Sequence, residues 1–76
     1  MEKIYIVFFK SGADRQPLSY HKTFDGAKKA QRKEVIEWVA GHGENSFKNN
    51  DGEYSLYFDS GNLYGNLYIA PATIED

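Results

Sequence analysis

Lys3-Ile4-Tyr5-Ile6-Val7-Phe8-Phe9-Lys10 is the stretch on which the fold turns. Its β-branched and aromatic side chains suit a pleated surface, and they occupy both parities of the strand. Ile4, Ile6 and Phe8 fall on one face, and Tyr5, Val7 and Phe9 on the other. A strand apolar on both sides belongs in the middle of a sheet with both faces covered. The remaining segments offer a single helix as cover, so one face of the sheet is left to be covered from outside the domain.

Downstream of this strand, Ser11 to Pro17 contains Gly12, Asp14 and Pro17 with no apolar pattern and reads as a loop. Leu18 to Phe24 alternates like a half-buried edge strand and is expected to form a hairpin with the first strand. Asp25 is suited to cap a helix running to about Ala40, where Gly41-His42-Gly43 supplies a stop. Ala27, Gln31, Val35 and Trp38 share one stripe of that helix, small residues first and the large indole last. Glu44 to Gly52 is polar, Asn49-Asn50-Asp51-Gly52 is a turn signal, and Phe47 marks either a short extra strand or a lid over the core. Glu53 to Asp59 and Leu63 to Ala70 alternate as a second hairpin, and Pro71, lacking a backbone donor, is expected to end its ladder. The expected fold is α+β: one domain over residues 1–76, an antiparallel sheet of about four strands in the order ββαββ, and one helix packed on one face.

Composition narrows the function classes. At 76 residues the chain has room for one core and buries only about 60% of its unfolded surface, so its stability margin is thin. It has no cysteine, which removes disulfides, thiolate metal sites and thiol chemistry together and fits a reducing, cytoplasmic setting. The apolar run from Ile4 to Phe9 is too short for a signal-peptide core or a membrane span. Nine basic against eleven acidic side chains give a net charge of −2, which disfavours a dedicated nucleic-acid binder. His21 and His42 lack a third ligand at metal-site spacing, and the carboxylates of Asp51 and Glu53 sit at a turn where nothing holds them as an acid–base pair. No enzymatic activity, cofactor or small-molecule ligand is expected.

Parity then nominates a surface. With Ile4, Ile6 and Phe8 set toward the helix beside Leu56, Phe58, Leu67 and Ile69, the far face carries Tyr5, Val7 and Phe9 together with Tyr57, Tyr64 and Tyr68. Tyrosines on an open sheet face are ordinarily content in water, but Val7 and Phe9 have no polar tip, and a contiguous apolar patch marks an interaction site. These six residues form the expected contact with a protein partner or with a second copy of the chain. Lys28, Lys29, Arg32 and Lys33 form a second, electrostatic candidate on the helix. Their place in its first turns opposes the helix dipole, and single-stranded nucleic acid bound by the sheet face with these cations is the alternative reading.

The layout of two strands, a Thr-Phe-Asp entry into a helix that begins Gly-Ala-Lys-Lys-Ala, and a tyrosine-rich terminal hairpin resembles small accessory proteins of bacteriophages and mobile elements, of the anti-CRISPR kind. That resemblance implies a compact, non-catalytic protein that inhibits a host or defence complex by occluding a surface. The open aromatic face is also similar to that of the RNA recognition motif. Tyr5-Ile6-Val7-Phe8-Phe9, however, lacks the glycines and the basic residue of that family's longer motif, and a second helix is missing.

Overall fold

A computed structural model describes residues 2–74. The chain forms β1 (Glu2–Ser11), β2 (Asp14–His21), α1 (Phe24–His42), a single 3-10 turn (Glu44–Ser46), β3 (Phe47–Asn50), β4 (Glu53–Tyr57) and β5 (Leu63–Ile74). All neighbouring strands are antiparallel and the spatial order is β2-β1-β5-β4-β3, with α1 on one face. The sheet has five strands where about four were expected, and the element order is ββαβββ rather than ββαββ. Phe47 opens the additional strand, and the Asp-Gly turn at Asp51 (φ 57°) and Gly52 (φ 94°) joins it to β4 as the left-handed pair a tight hairpin requires.

The segment expected to be a loop, Ser11 to Pro17, is largely strand. Ser11 lies opposite Asp14 across a two-residue turn in which Gly12 takes φ 63°. Asp14, Arg15, Gln16 and Pro17 are all exposed, so this edge strand carries no apolar alternation to announce itself. A register shift between Val7 and Phe8 accommodates Leu18 as an extra residue and turns it toward the helix side.

Pro71 does not end the ladder; it lies opposite Tyr5 within β5, which continues to Ile74. Its position fixes the hydrogen-bonding phase of the β1–β5 pair. A proline has no N–H to exchange, so Tyr5 and Pro71 form a non-hydrogen-bonded pair, and with a period of two so do Val7 with Ile69 and Phe9 with Leu67. The polar backbone groups of Leu67, Ile69 and Pro71 therefore point away from β1. The β4 ladder stops at Leu67, so Pro71 sits on a locally free edge where its missing donor costs nothing.

Thr23, not Asp25, caps α1: its Oγ1 accepts from the Gly26 N–H at 3.0 Å, and Asp25 lies in the first turn, where its charge suits the dipole. At the other end, Gly43 (φ 95°) donates to the Val39 carbonyl at 2.8 Å. Ala27, Gln31 and Val35 are buried on the inner stripe, as the spacing predicts. Gln31, 2% exposed, spends both amide hydrogens: one goes to the Gly52 carbonyl and one to that of Leu67, each at 2.9 Å. This side chain ties the helix to β5 and to the β3–β4 turn, and it is satisfied rather than stranded.

The core is Val7, Ala27, Val35, Leu56 and Leu67. Trp38 closes its far end, stacked between Tyr64 (centroids 4.3 Å apart) and His42 (3.7 Å), with its indole N–H donating to the Tyr57 carbonyl at 3.1 Å. Phe9 packs beside Tyr64 over the backbone of Gly65, so closely that a Cβ at that glycine would run into the Phe9 ring.

Candidate functional site: the open face of the sheet

The phase of β1 is opposite to the expected one. Val7 is 0% exposed and lies opposite Ile69, while Phe9 lies opposite Leu67, itself 1% exposed in the core beneath Val35. Residues directly across an antiparallel pair share a face, so Tyr5, Val7 and Phe9 point to the helix. Tyr5 meets Phe24 of the helix edge-on at 5.7 Å, which confirms the side. Leu56 and Leu67 face the helix as expected. Their partners from β1 are the odd-numbered residues rather than the even.

Of the six nominated contact residues, Tyr5, Val7, Phe9 and Tyr64 therefore lie on the helix side, within or against the core. Tyr57 is half-buried next to a register shift in β4, where its carbonyl serves Trp38. Tyr68 is placed on the open face, where its ring stacks on Phe8 at 5.4 Å. Because β1 is apolar on both parities, the face away from the helix carries an apolar set of its own. The face opposite the helix carries Ile4, Ile6 and Phe8 from β1 and Tyr68, Ala70 and Ala72 from β5, all half-buried by their strand neighbours alone. Tyr20 of β2, opposite Ile6, adds a ring that is 63% exposed. Among the described residues α1 is the one long helix, and it lies on the other side.

The patch has a defined boundary. At the Lys10 end, Arg15 lays its guanidinium over the Phe8 ring at 4.8 Å and donates to the Tyr68 hydroxyl at 3.3 Å. Toward β3 a polar relay crosses three strands: Asn50 donates to Ser55 at 3.2 Å, and Ser55 donates to Asn66 at 2.8 Å. Along β1 the parity runs Glu2, Ile4, Ile6, Phe8, Lys10, an apolar centre with an acid at one end and a base at the other. Sequence reasoning passed over Arg15, Tyr20, Ala70 and Ala72 because neither a proline-containing edge strand nor two alanines reads as a contact surface. Nothing along β1 separates the two faces in the sequence, because both of its parities are apolar.

The helix cations are only partly grouped. Lys28 is half-buried with its ammonium 5.6 Å from the Phe24 ring centre, whereas Lys29, Arg32 and Lys33 are exposed. Lys28 and Arg32 border a shallow cleft of about 330 Å³ that they share with Asp51, an opposing charge. A second cleft, about 300 Å³, lies between α1 and β2 over Phe9, Leu18 and Trp38, with Glu34 and Glu37 on its rim.

Among the described residues no three His, Asp or Glu side chains are grouped to hold a metal ion. His21 instead shares a 2.7 Å hydrogen bond with Ser19, and His42 is stacked on Trp38. No described helix is long and apolar enough to cross a membrane. Compared with protein families, with curated proteins and with solved structures, the chain finds no match.

Proposed function

We propose that this protein is a non-catalytic binding module that docks a protein partner on the helix-free face of its sheet. The observation that carries the reading is the half-buried set Ile4, Ile6, Phe8, Tyr68, Ala70 and Ala72, joined by the exposed ring of Tyr20, on a face that no described helix covers. Strand neighbours shield these side chains at their flanks and leave their tips in water, and removing that area from water is the dominant driving force for association. The rim is polar, with Arg15, Lys10, Asn66 and Ser55 around an apolar centre, the anatomy of a protein contact. The resemblance to phage and mobile-element accessory proteins implies an inhibitory role where the docked partner is a host or defence complex.

The test is site-specific photo-crosslinking in the native cytoplasm. A photoreactive phenylalanine replaces Phe8 on the open face in one variant and Ile36, which is 67% exposed on the outer face of α1, in another. A discrete protein adduct from position 8, absent from position 36 and competed away by unmodified protein, is the expected result. Equal adducts from both positions would contradict it. An adduct to nucleic acid that fades as salt rises and is lost when Lys28, Lys29, Arg32 and Lys33 become Gln would favour the alternative partner.

A further inference from the structure

We propose that the open face is self-complementary and that its occupant is a second copy of this chain, docked with the two β1 strands antiparallel across a two-fold axis at Ile6. The inference rests on reading the open face as the docking surface and adds the identity and orientation of the partner. Its basis is the order of side chains along one parity of β1: Glu2, Ile4, Ile6, Phe8, Lys10. Reversed and laid on itself, this series places Ile6 on Ile6, Ile4 on Phe8, and Glu2 on Lys10 of the second copy. The two-fold repeats each contact, as an isologous interface requires. A parallel arrangement would instead set Lys10 against Lys10 of the second copy and Glu2 against Glu2.

Arg15 strengthens the charge match. It stands opposite Lys10 in the β1–β2 register and is already held over Phe8 and against the Tyr68 hydroxyl, so its guanidinium is oriented before the second copy arrives. Aligned sheet packing keeps strand directions within about 30°, an offset that long Glu, Lys and Arg side chains can span at the ends of the strand. The charges select orientation, while the apolar centre supplies the affinity.

Size sets how strong the dimer is. From Glu2 to Lys10 a strand runs roughly 27 Å and three strands span roughly 15 Å, giving a face on the order of 400 Å² per copy. Stable interfaces bury about 800 Å² of accessible surface per partner, so a face of this size belongs to the weak, transient class.

Sedimentation equilibrium from about 0.5 to 500 μM, compared across variants, tests the proposal. The unmodified chain is expected to pass from monomer to dimer, and Ile6→Glu to weaken the association at least 100-fold with an unchanged circular dichroism spectrum. Glu2→Lys and Lys10→Glu are each expected to weaken it several-fold, and the double variant to recover most of the loss. Because Lys10→Glu also adds an acid beside Arg15 of its own copy, a variant carrying Lys10→Glu with Arg15→Gln gives a second reading of the same register. A chain that stays monomeric throughout overturns the inference and leaves the crosslinking result at position 8 to decide the broader reading. A dimer indifferent to Ile6→Glu overturns the surface. Loss on Ile6→Glu without recovery in the charge-exchanged variant overturns the antiparallel arrangement.

Discussion

Val7 and Ile6 are adjacent β-branched residues in one strand, yet they do opposite work. Val7 is fully enclosed beneath the helix, so Val7→Ser both opens a cavity and buries a hydroxyl, at an expected cost of about 2–4 kcal/mol. Ile6 keeps its tip in water on the open face, and Ile6→Ser is expected to cost about 1 kcal/mol or less. Urea unfolding of the two variants at low protein concentration reads the difference, and a larger loss at Ile6 would reverse the assignment of faces. Gly65 is a second decisive residue. Phe9 lies where its Cβ would be, so Gly65→Ala forces ring and strand apart at an expected cost of about 1–3 kcal/mol, seen as a lower urea midpoint with an unchanged slope. A neutral Gly65→Ala would show that Phe9 is free to leave its position against Tyr64.

Among the elements, those with one apolar face were legible in the sequence and those without were not. The helix was, because Ala27, Gln31, Val35 and Trp38 recur at its period, and so were β4 and the first half of β5, where Leu56 and Leu67 alternate with polar residues. The first half of β2 was hidden, since Asp14, Arg15, Gln16 and Pro17 are exposed on both sides of an edge. The phase of β1 was hidden for the opposite reason: with both parities apolar, hydrophobicity favours neither face, and a one-residue slip exchanges core for surface. As a result, Tyr5, Val7, Phe9 and Tyr64 lie on the helix side, whereas Tyr68 is on the open face. Because its absent N–H faces a free edge, Pro71→Ala is expected to leave unfolding stability within about 0.5 kcal/mol while restoring a donor to that edge. The gain shows as faster aggregation at high concentration; a loss of several kcal/mol would place Pro71 elsewhere in the ladder.

On the scale of the whole molecule, the chain is one helix layer on one sheet layer, 19 Å across its shortest dimension. Five strongly buried apolar side chains make a small core, and the second set of strand residues contributes little to folding while it stays in water. The proposed docking on the open face would bring that set into use, link stability to occupancy and make the unfolding midpoint rise with protein concentration if the occupant is a second copy. The even-numbered side chains of β1 form this open face, and the natural absence of cysteine permits a direct measurement. Two single-substitution variants, Ile6→Cys and Val7→Cys, are to be labelled with a thiol reagent under native conditions below micromolar concentration. The thiol of the Ile6→Cys variant is expected to react at nearly the rate of an unfolded control, and that of the Val7→Cys variant only as fast as the domain opens. Rapid labelling at position 7 with protection at position 6 would instead put the odd-numbered side chains of β1 on the open face.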